Sequence, residues 1–431
     1  MVSGANFGFL VLAARGLRPD DFGLVSLVSA GAVSLVGLAQ SANVEPLTVA
    51  VSASGRWVTT ADRRRVGRRQ ARFALVAGMA LAVAAALAGV RYRGPLLLLA
   101  AGLLPALLLD AMRTIDYCNG ELARALRRDL WWTGALSIGL GAAFAMGRGG
   151  GPVPLLTAYL GAAAVVSLPN LAATFRPSRT ANGLTGAAHD DVGEVDDAAH
   201  RRRFVTEYAT NQGASQLTYY LATAAFGLGA TGALRAAQSL FGPLNVALSS
   251  MRLFLAPRLA RTLAEDPAVA AREWRRLLRW MGAASVLAPL SVVLAVGVVG
   301  PAMFAGAWPG LVPLIAPFGL QYVSLGIGMA GVVALRSLAD SRASMWCRVL
   351  QAVITAIATV AGCAWGSLVG LCWLIAGGMV IAGLTWLVTG WVRVRARVAH
   401  SLAMSSAPSP PADPDRVVAL TDPQAKEVSV W

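Results

Sequence analysis

Six residues in one stretch of this chain fall on one side of a helix: Arg235, Gln238, Gly242, Asn245, Ser249 and Arg252. Their offsets are 0, 3, 7, 10, 14 and 17 residues, which at about 100° per residue span an arc of about 100°. Glu207, Asn211, Ser215 and Thr218, spaced by 4, 4 and 3, make a matching stripe on the preceding apolar segment. Guanidinium, amide and hydroxyl groups in this pattern bind ligands; they do not make or break bonds. The guanidinium offers a planar fork of donors to carboxylate or phosphate oxygens, and the amides and hydroxyls replace water around a polar ligand. Two such stripes on neighbouring helices read either as a shared wet cavity or as a polar, small-residue interface. Gly242 and Ser249 are read as interface. Arg235 is read as facing a cavity, and its competing reading is a side chain that snorkels to the nearby end of its segment.

Depth sharpens the reading. The two segments are joined by only a few residues, Gly227 to Thr231, so they form an antiparallel hairpin centred near Leu228 and Gly229. Glu207 and Arg252 are then at equal depth and can form an intramembrane ion pair, which lowers the cost of burying each charge. Arg235 lies at the depth of Ala224 and faces no acid on the other strand of the hairpin. An unpaired cation beside a cavity suits an anionic ligand. Asn211, Gln216, Tyr219, Gln238 and Asn245 are the candidates to line that cavity. Elsewhere, Asp110 and Arg113 can neutralise each other on one helix face. Glu45, beside Pro46, either lines the cavity or caps a helix break.

Catalytic and metal chemistry find no such support. The chain has no G-x-S-x-G, no H-E-x-x-H and no phosphate-binding loop in a strand–helix context, so an enzyme is not expected. Its cysteines, Cys118, Cys347, Cys363 and Cys372, form no C-x-x-C pair and read as packing residues. The histidines, His189, His200 and His400, lie in polar loops or the tail, so neither a metal site nor a cofactor is expected. Asp20 and Asp21 read as acids at a helix start.

The elements that carry these residues are membrane spans. Of 431 residues, 56% are hydrophobic and 14% charged, against about 25% charged in soluble domains. Apolar runs fall at 4–17, 22–43, 71–91, 95–112, 130–147, 153–173, 205–227, 231–255, 280–302, 309–335, 344–364 and 367–392. Most have the length of a spanning helix and none alternates with period 2. The expected class is therefore an all-α integral membrane protein with about twelve transmembrane helices. The first run is short: either its helix is tilted across a thin stretch, or residues precede Met1.

Arginine sets the orientation. Arg63, Arg64, Arg65, Arg68 and Arg69 follow the second run, Arg124, Arg127 and Arg128 the fourth, and Arg201, Arg202 and Arg203 the sixth. Arg272, Arg275, Arg276 and Arg279 follow the eighth, Arg342 and Arg348 the tenth, and Arg393, Arg395 and Arg397 the last. The alternate gaps hold only Arg15, Arg18, Arg91, Arg93 and Arg148. Basic residues stay on the cytoplasmic side, which places both termini there in the cell membrane. The formal charge of +15 is spread over six gaps, so it serves topology and anionic headgroups, and nucleic acid is not an expected partner. The longest interior polar stretch, 174–203, separates an N-terminal six-helix half, 1–173, from a C-terminal one, 204–394; the tail, 395–431, is Pro-rich and expected to be disordered. Pro105, Pro169, Pro243, Pro289, Pro313 and Pro317 lie inside runs, where they are either merely tolerated or provide kinks for bending.

Several segments resemble a known family. Residues 6–23, NFGFLVLAARGLRPDDFG, are similar to the first-helix signature of bacterial polysaccharide flippases, and 234–260, LRAAQSLFGPLNVALSSMRLFLAPRLA, to their eighth span. The layout of two six-helix halves resembles the multidrug/oligosaccharidyl-lipid/polysaccharide exporter superfamily along the whole chain. The resemblance implies flipping of polyprenyl-diphosphate-linked oligosaccharide by alternating access, with polysaccharide assembly enzymes as protein partners. In related lipid II flippases arginines of a central cavity hold the diphosphate, and Arg235 is the position that fits. The family's first-helix basic residues would fall partly ahead of Met1. Two other readings compete. A cation-coupled multidrug exporter of the same superfamily needs buried acids, and only Glu45, Asp110 and Glu207 are available. A membrane glycosyltransferase or polymerase needs an extracytoplasmic catalytic loop, and the outward gaps are short.

Overall fold

A computed structural model describes residues 2–48, 57–146, 151–175, 197–338 and 340–406. Within them the long helices are α1 (Val2–Gly16), α2 (Pro19–Asn43), α3 (Thr60–Leu87), α4 (Val90–Cys118), α5 (Leu122–Ala145), α6 (Pro152–Phe175) and α7 (Asp197–Phe226). Then come α8 (Leu228–Leu240), α9 (Gly242–Glu265), α10 (Pro267–Phe304), α11 (Ile315–Ser337), α12 (Ser341–Ala364) and α13 (Leu368–Ser406). Short helical turns over 305–314 join α10 to α11, and no strand occurs among the described residues. Helices α8 and α9 are two parts of one rod, so the rods follow the apolar runs in order. The chain is a multi-pass membrane protein. Among the described residues, seven segments are long and apolar enough to cross a bilayer. Those that fall short include α7 and the α8–α9 rod, which carry the polar stripes and depend on their neighbours for their place.

Helix ends explain where sequence and structure differ. Helix α3 starts at Thr60, well before the apolar run at 71. Thr59 caps it: its hydroxyl accepts from the Asp62 N–H (3.2 Å), and the Asp62 carboxylate accepts from the Thr59 N–H (3.1 Å). The arginines of its first turns extend the helix beyond the hydrocarbon. Likewise α10 starts at Pro267, not 280, and carries Arg272 to Arg279 on the added turns. Helix α13 continues through 395–406 because no Pro or Gly interrupts it before Pro408. Of the 174–203 stretch, 176–196 lie outside the described residues, as does the tail from 407.

Each half packs within itself: α4 against α3 and α6, and α5 against α6; then α13 against α11 and α12, α10 and α9 against α11, and α7 against α12. The halves meet where α2 lies against α7 and α8, and where α1 lies against α10 and the turns after it. Gly23 makes the α2–α8 contact possible, because a Cβ there would run into the Leu228 carbonyl.

Ion pairs pin the arginine-rich end, here called the basic end. Asp116 of α4, fully buried, accepts from Arg63 Nη1 of α3 (2.9 Å) and lies 2.8 Å from Arg128 Nε of α5. Arg63 also reaches Glu121 (3.0 Å). Asp340 pairs with Arg393 (3.2 Å) in the C-terminal half. At the opposite, far end, Asp21 of α2 pairs with Arg91 of α4 (3.0 Å).

Candidate binding site between the two halves

The site is built around α8, which has far-end apolar neighbours on one side and Arg235 on the other. Gly227 sets the entry: its φ of 85° ends α7 and turns the chain back at once, a left-handed conformation that glycine adopts without strain. The exit is a break. Phe241 (φ −90°, ψ 2°) closes α8, and Pro243 lacks the N–H that would continue the ladder to the Ser239 carbonyl. Only an unbroken helix would carry one stripe from Arg235 to Arg252. The two parts of the stripe therefore belong to separate helices.

On α8 the stripe closes up. Arg235 Nη1 donates to Gln238 Oε1 (2.6 Å), and the Tyr219 hydroxyl of α7 donates to the same oxygen (2.5 Å). The guanidinium is thus held by Gln238, which also meets Tyr219 of α7, among packed helices. Its Nε is buried and has no partner. Among the described residues no carboxylate is within ion-pair distance of Arg235. Tyr159 of α6 and Tyr322 of α11 belong with Leu234 and Tyr219 to one cluster that spans both halves. Rings back them: Phe9 and Trp132 lie against Tyr159 (4.8 and 5.9 Å between centroids), and Phe241 stacks on Tyr322 (5.0 Å).

Two more polar groups are left open. Gln216 Oε1, one turn before Tyr219, and Asn6 Oδ1, one turn before Phe9 on α1, are buried without partners. Buried oxygens of this kind are costly unless something donates to them. Asn245 lies beyond the break on α9, is exposed, and stands outside the cluster. The side chains of Glu207, Asn211 and Arg252 lie outside the described residues. Asp110 and Arg113 pair as expected (2.5 Å), with Asp129 3.9 Å from the same arginine. Sequence reasoning passed over Asn6, Tyr159 and Tyr322. Asn6 opens the motif already quoted, whereas a lone tyrosine in an apolar run gives no signal of what it faces.

The packing shows which way the site is closed. At the far end one apolar core spans both halves, from Phe9, Phe22 and Leu155 to Leu228, Phe304 and Leu314. Toward the basic end the cores separate. Val44, Ala111 and Ile115, and beside them Leu103 and Leu107, form N-terminal cores, while Leu259, Trp274, Val333 and Val394 form a C-terminal one. The halves are sealed at the far end and divided at the other.

Solved structures share this form. The inward-facing conformation of a multidrug resistance MATE family transporter of the MOP superfamily superposes with a TM-score of 0.68 at 16% identity, over 94% of this chain and 96% of the other. The fold is that of the MOP-superfamily transporters. The outward-facing conformation of a multidrug resistance MATE family transporter gives 0.59 at 16% identity, over 92% and 94%. A MOP-superfamily transporter from Pyrococcus furiosus, described as having a binding pocket of reverse polarity that suggests a different function, gives 0.58 at 14%, over 92% and 93%. No protein-family model matches the chain, and no curated protein matches it in sequence.

Proposed function

We propose that the chain is a transporter that flips polyprenyl-diphosphate-linked oligosaccharide across the cytoplasmic membrane by alternating access, serving cell-surface polysaccharide synthesis. Arg235 carries the reading: an interior guanidinium between the halves, oriented by Gln238, with a buried Nε that has no partner. A diphosphate supplies the missing acceptors with charge-assisted bonds. A sugar headgroup loses its water on entering hydrocarbon, and the open amide oxygens of Asn6 and Gln216 offer it acceptors in exchange. Tyr159, Tyr219 and Tyr322 add rings with polar tips.

The alternative is a cation-coupled multidrug exporter; two of the similar structures are of a multidrug resistance MATE family transporter. Exchange of that kind uses carboxylates open to a cation. Asp110, Asp116 and Asp129 instead each have an arginine within 2.5 to 3.9 Å. The Pyrococcus furiosus transporter, with its pocket of reverse polarity, supports the idea that this fold hosts sites of either sign.

The test is accumulation of lipid-linked oligosaccharide on the cytoplasmic leaflet in cells lacking the wild-type protein. Arg235→Lys keeps the charge without the planar fork and should retain part of the transport. Arg235→Ala and Arg235→Glu should retain little at normal abundance. Clearance of the intermediate at the wild-type rate by Arg235→Glu refutes the site.

A further inference from the structure

Two exposed arginine stripes occupy equivalent places in the two halves. On α10, the ninth rod, Arg272, Arg275, Arg276 and Arg279 are all exposed. At about 100° per residue they fall within an arc of about 100°. Leu290 and Leu294, exposed further along the helix, continue the same arc. On α3, the third rod, Arg65, Arg68 and Arg72 are exposed and share an arc of about 60°. Met79 and Val83 carry that arc on. The third rod and the ninth hold the same place in their six-rod halves. Each stripe is about two turns long, about 10 Å.

The shared arc decides what these arginines face. Large apolar side chains left exposed on a spanning helix lie against lipid tails. Arginines further along the same arc then stand above the tails, at the level of the lipid phosphates. Trp280, exposed directly after Arg279, marks that level, as interfacial aromatic residues do. Retention on the cytoplasmic side needs only positive charge in the gap; it does not need that charge gathered on two lipid-facing arcs. Other arginines of the basic end turn to protein instead. Arg63 and Arg128 meet Asp116, Arg124 meets Glu121, Arg393 meets Asp340, and Arg395 lies over Trp391. Guanidinium forks that face a leaflet match phosphate oxygens, and clustered basic residues beside a spanning helix attract anionic lipid. We propose that each stripe binds the headgroup of an anionic phospholipid from the basic-end leaflet, one site per half, independently of Arg235.

The experiment titrates the full chain in detergent micelles with phosphatidylglycerol and, separately, with phosphatidylcholine. Bound lipid is counted by native mass spectrometry. Phosphatidylglycerol should bind the more tightly. Arg272→Gln, Arg275→Gln, Arg276→Gln and Arg279→Gln together should weaken it at least about tenfold and leave phosphatidylcholine unchanged. Arg65→Gln, Arg68→Gln and Arg72→Gln should cause a separate loss, and combining the two sets should cause both. The control removes four exposed arginines that lie off the stripes, Arg127→Gln, Arg202→Gln, Arg261→Gln and Arg342→Gln. It takes away the same charge as the α10 variant and should change phosphatidylglycerol binding by less than about twofold, as scattered, screened charges do. If the fourfold α10 variant does not fold, Arg275→Gln with Arg279→Gln decides, with an expected loss of at least about threefold. Phosphatidylglycerol bound no more tightly than phosphatidylcholine overturns the proposal. So does binding that survives the deciding variant, or a control that loses as much as the α10 variant.

Discussion

Asp116→Asn tests the buried charge cluster that holds the basic end of the N-terminal half. The substitution keeps the side-chain size and one acceptor but removes the negative charge between Arg63, at 2.9 Å, and Arg128, at 2.8 Å. Breaking a buried ion pair costs about 3–5 kcal/mol, mostly because a charge is left uncompensated. Arg63 keeps Glu121 at 3.0 Å, and the Arg63 and Arg128 side chains retain 20% and 16% exposure. Both facts place the loss at the lower bound, about 3 kcal/mol. Arg128 has no other ion pair among the described residues, so it is the charge stranded by the change. Adding Arg128→Met to Asp116→Asn removes that charge and should restore about half of the loss, an interaction energy of about 1.5 kcal/mol. The assay is a double-mutant cycle on the purified protein, unfolded by denaturant in mixed micelles. Loss below about 0.5 kcal/mol for Asp116→Asn, the range of ordinary surface changes, refutes the reasoning. So does a double variant in which the two losses simply add.

Gly23→Ala sets a Cβ against the Leu228 carbonyl and should cost about 1–3 kcal/mol at the far-end seam; an external thiol reagent should then label Ala233→Cys faster than in the parent, and equal rates would reject the tight seam. A reporter active only outside the cytoplasm should be silent after Leu184 and active at Gly229, and activity at Leu184 overturns the orientation. Arg252→Ala should reduce transport and be partly rescued by Glu207→Gln, while a cycle without coupling removes the proposed pair.

The arginine spacing and the apolar runs carried the architecture, because retention of cations and the thickness of hydrocarbon act on sequence directly. Helix ends were harder to read. The starts of α3 and α10 lie in arginine-rich turns that no hydrophobic window includes, and only the Thr59–Asp62 box marks one of them. Within the site, Arg235 and Gln238 were legible since residues three apart on a helix must meet. Tyr219 is a candidate by residue type alone, and its meeting with Gln238 depends on how α7 and α8 rotate against each other. Tyr159 and Tyr322 join the cluster that spans both halves, from α6 and α11, and no local period encodes that meeting. The break at Phe241 was present in the sequence as Gly242-Pro243, yet membrane helices so often absorb a proline that the pair alone did not determine a stop.

That break assigns one rod to two mechanical bodies. Leu228, Leu234, Ala237 and Phe241 belong to the core that joins both halves, whereas Ala256, Leu259 and Leu263 belong to the separate core of the C-terminal half. A stiff rod would act as a lever, tilting its basic end whenever its far end was disturbed. A jointed one transmits little torque across Phe241. Substitutions on α8 and on α9 should accordingly behave as independent events, with free-energy effects that add to within about 0.5 kcal/mol. The joint inside the eighth rod thus parts the seam between the halves from the core of the C-terminal half.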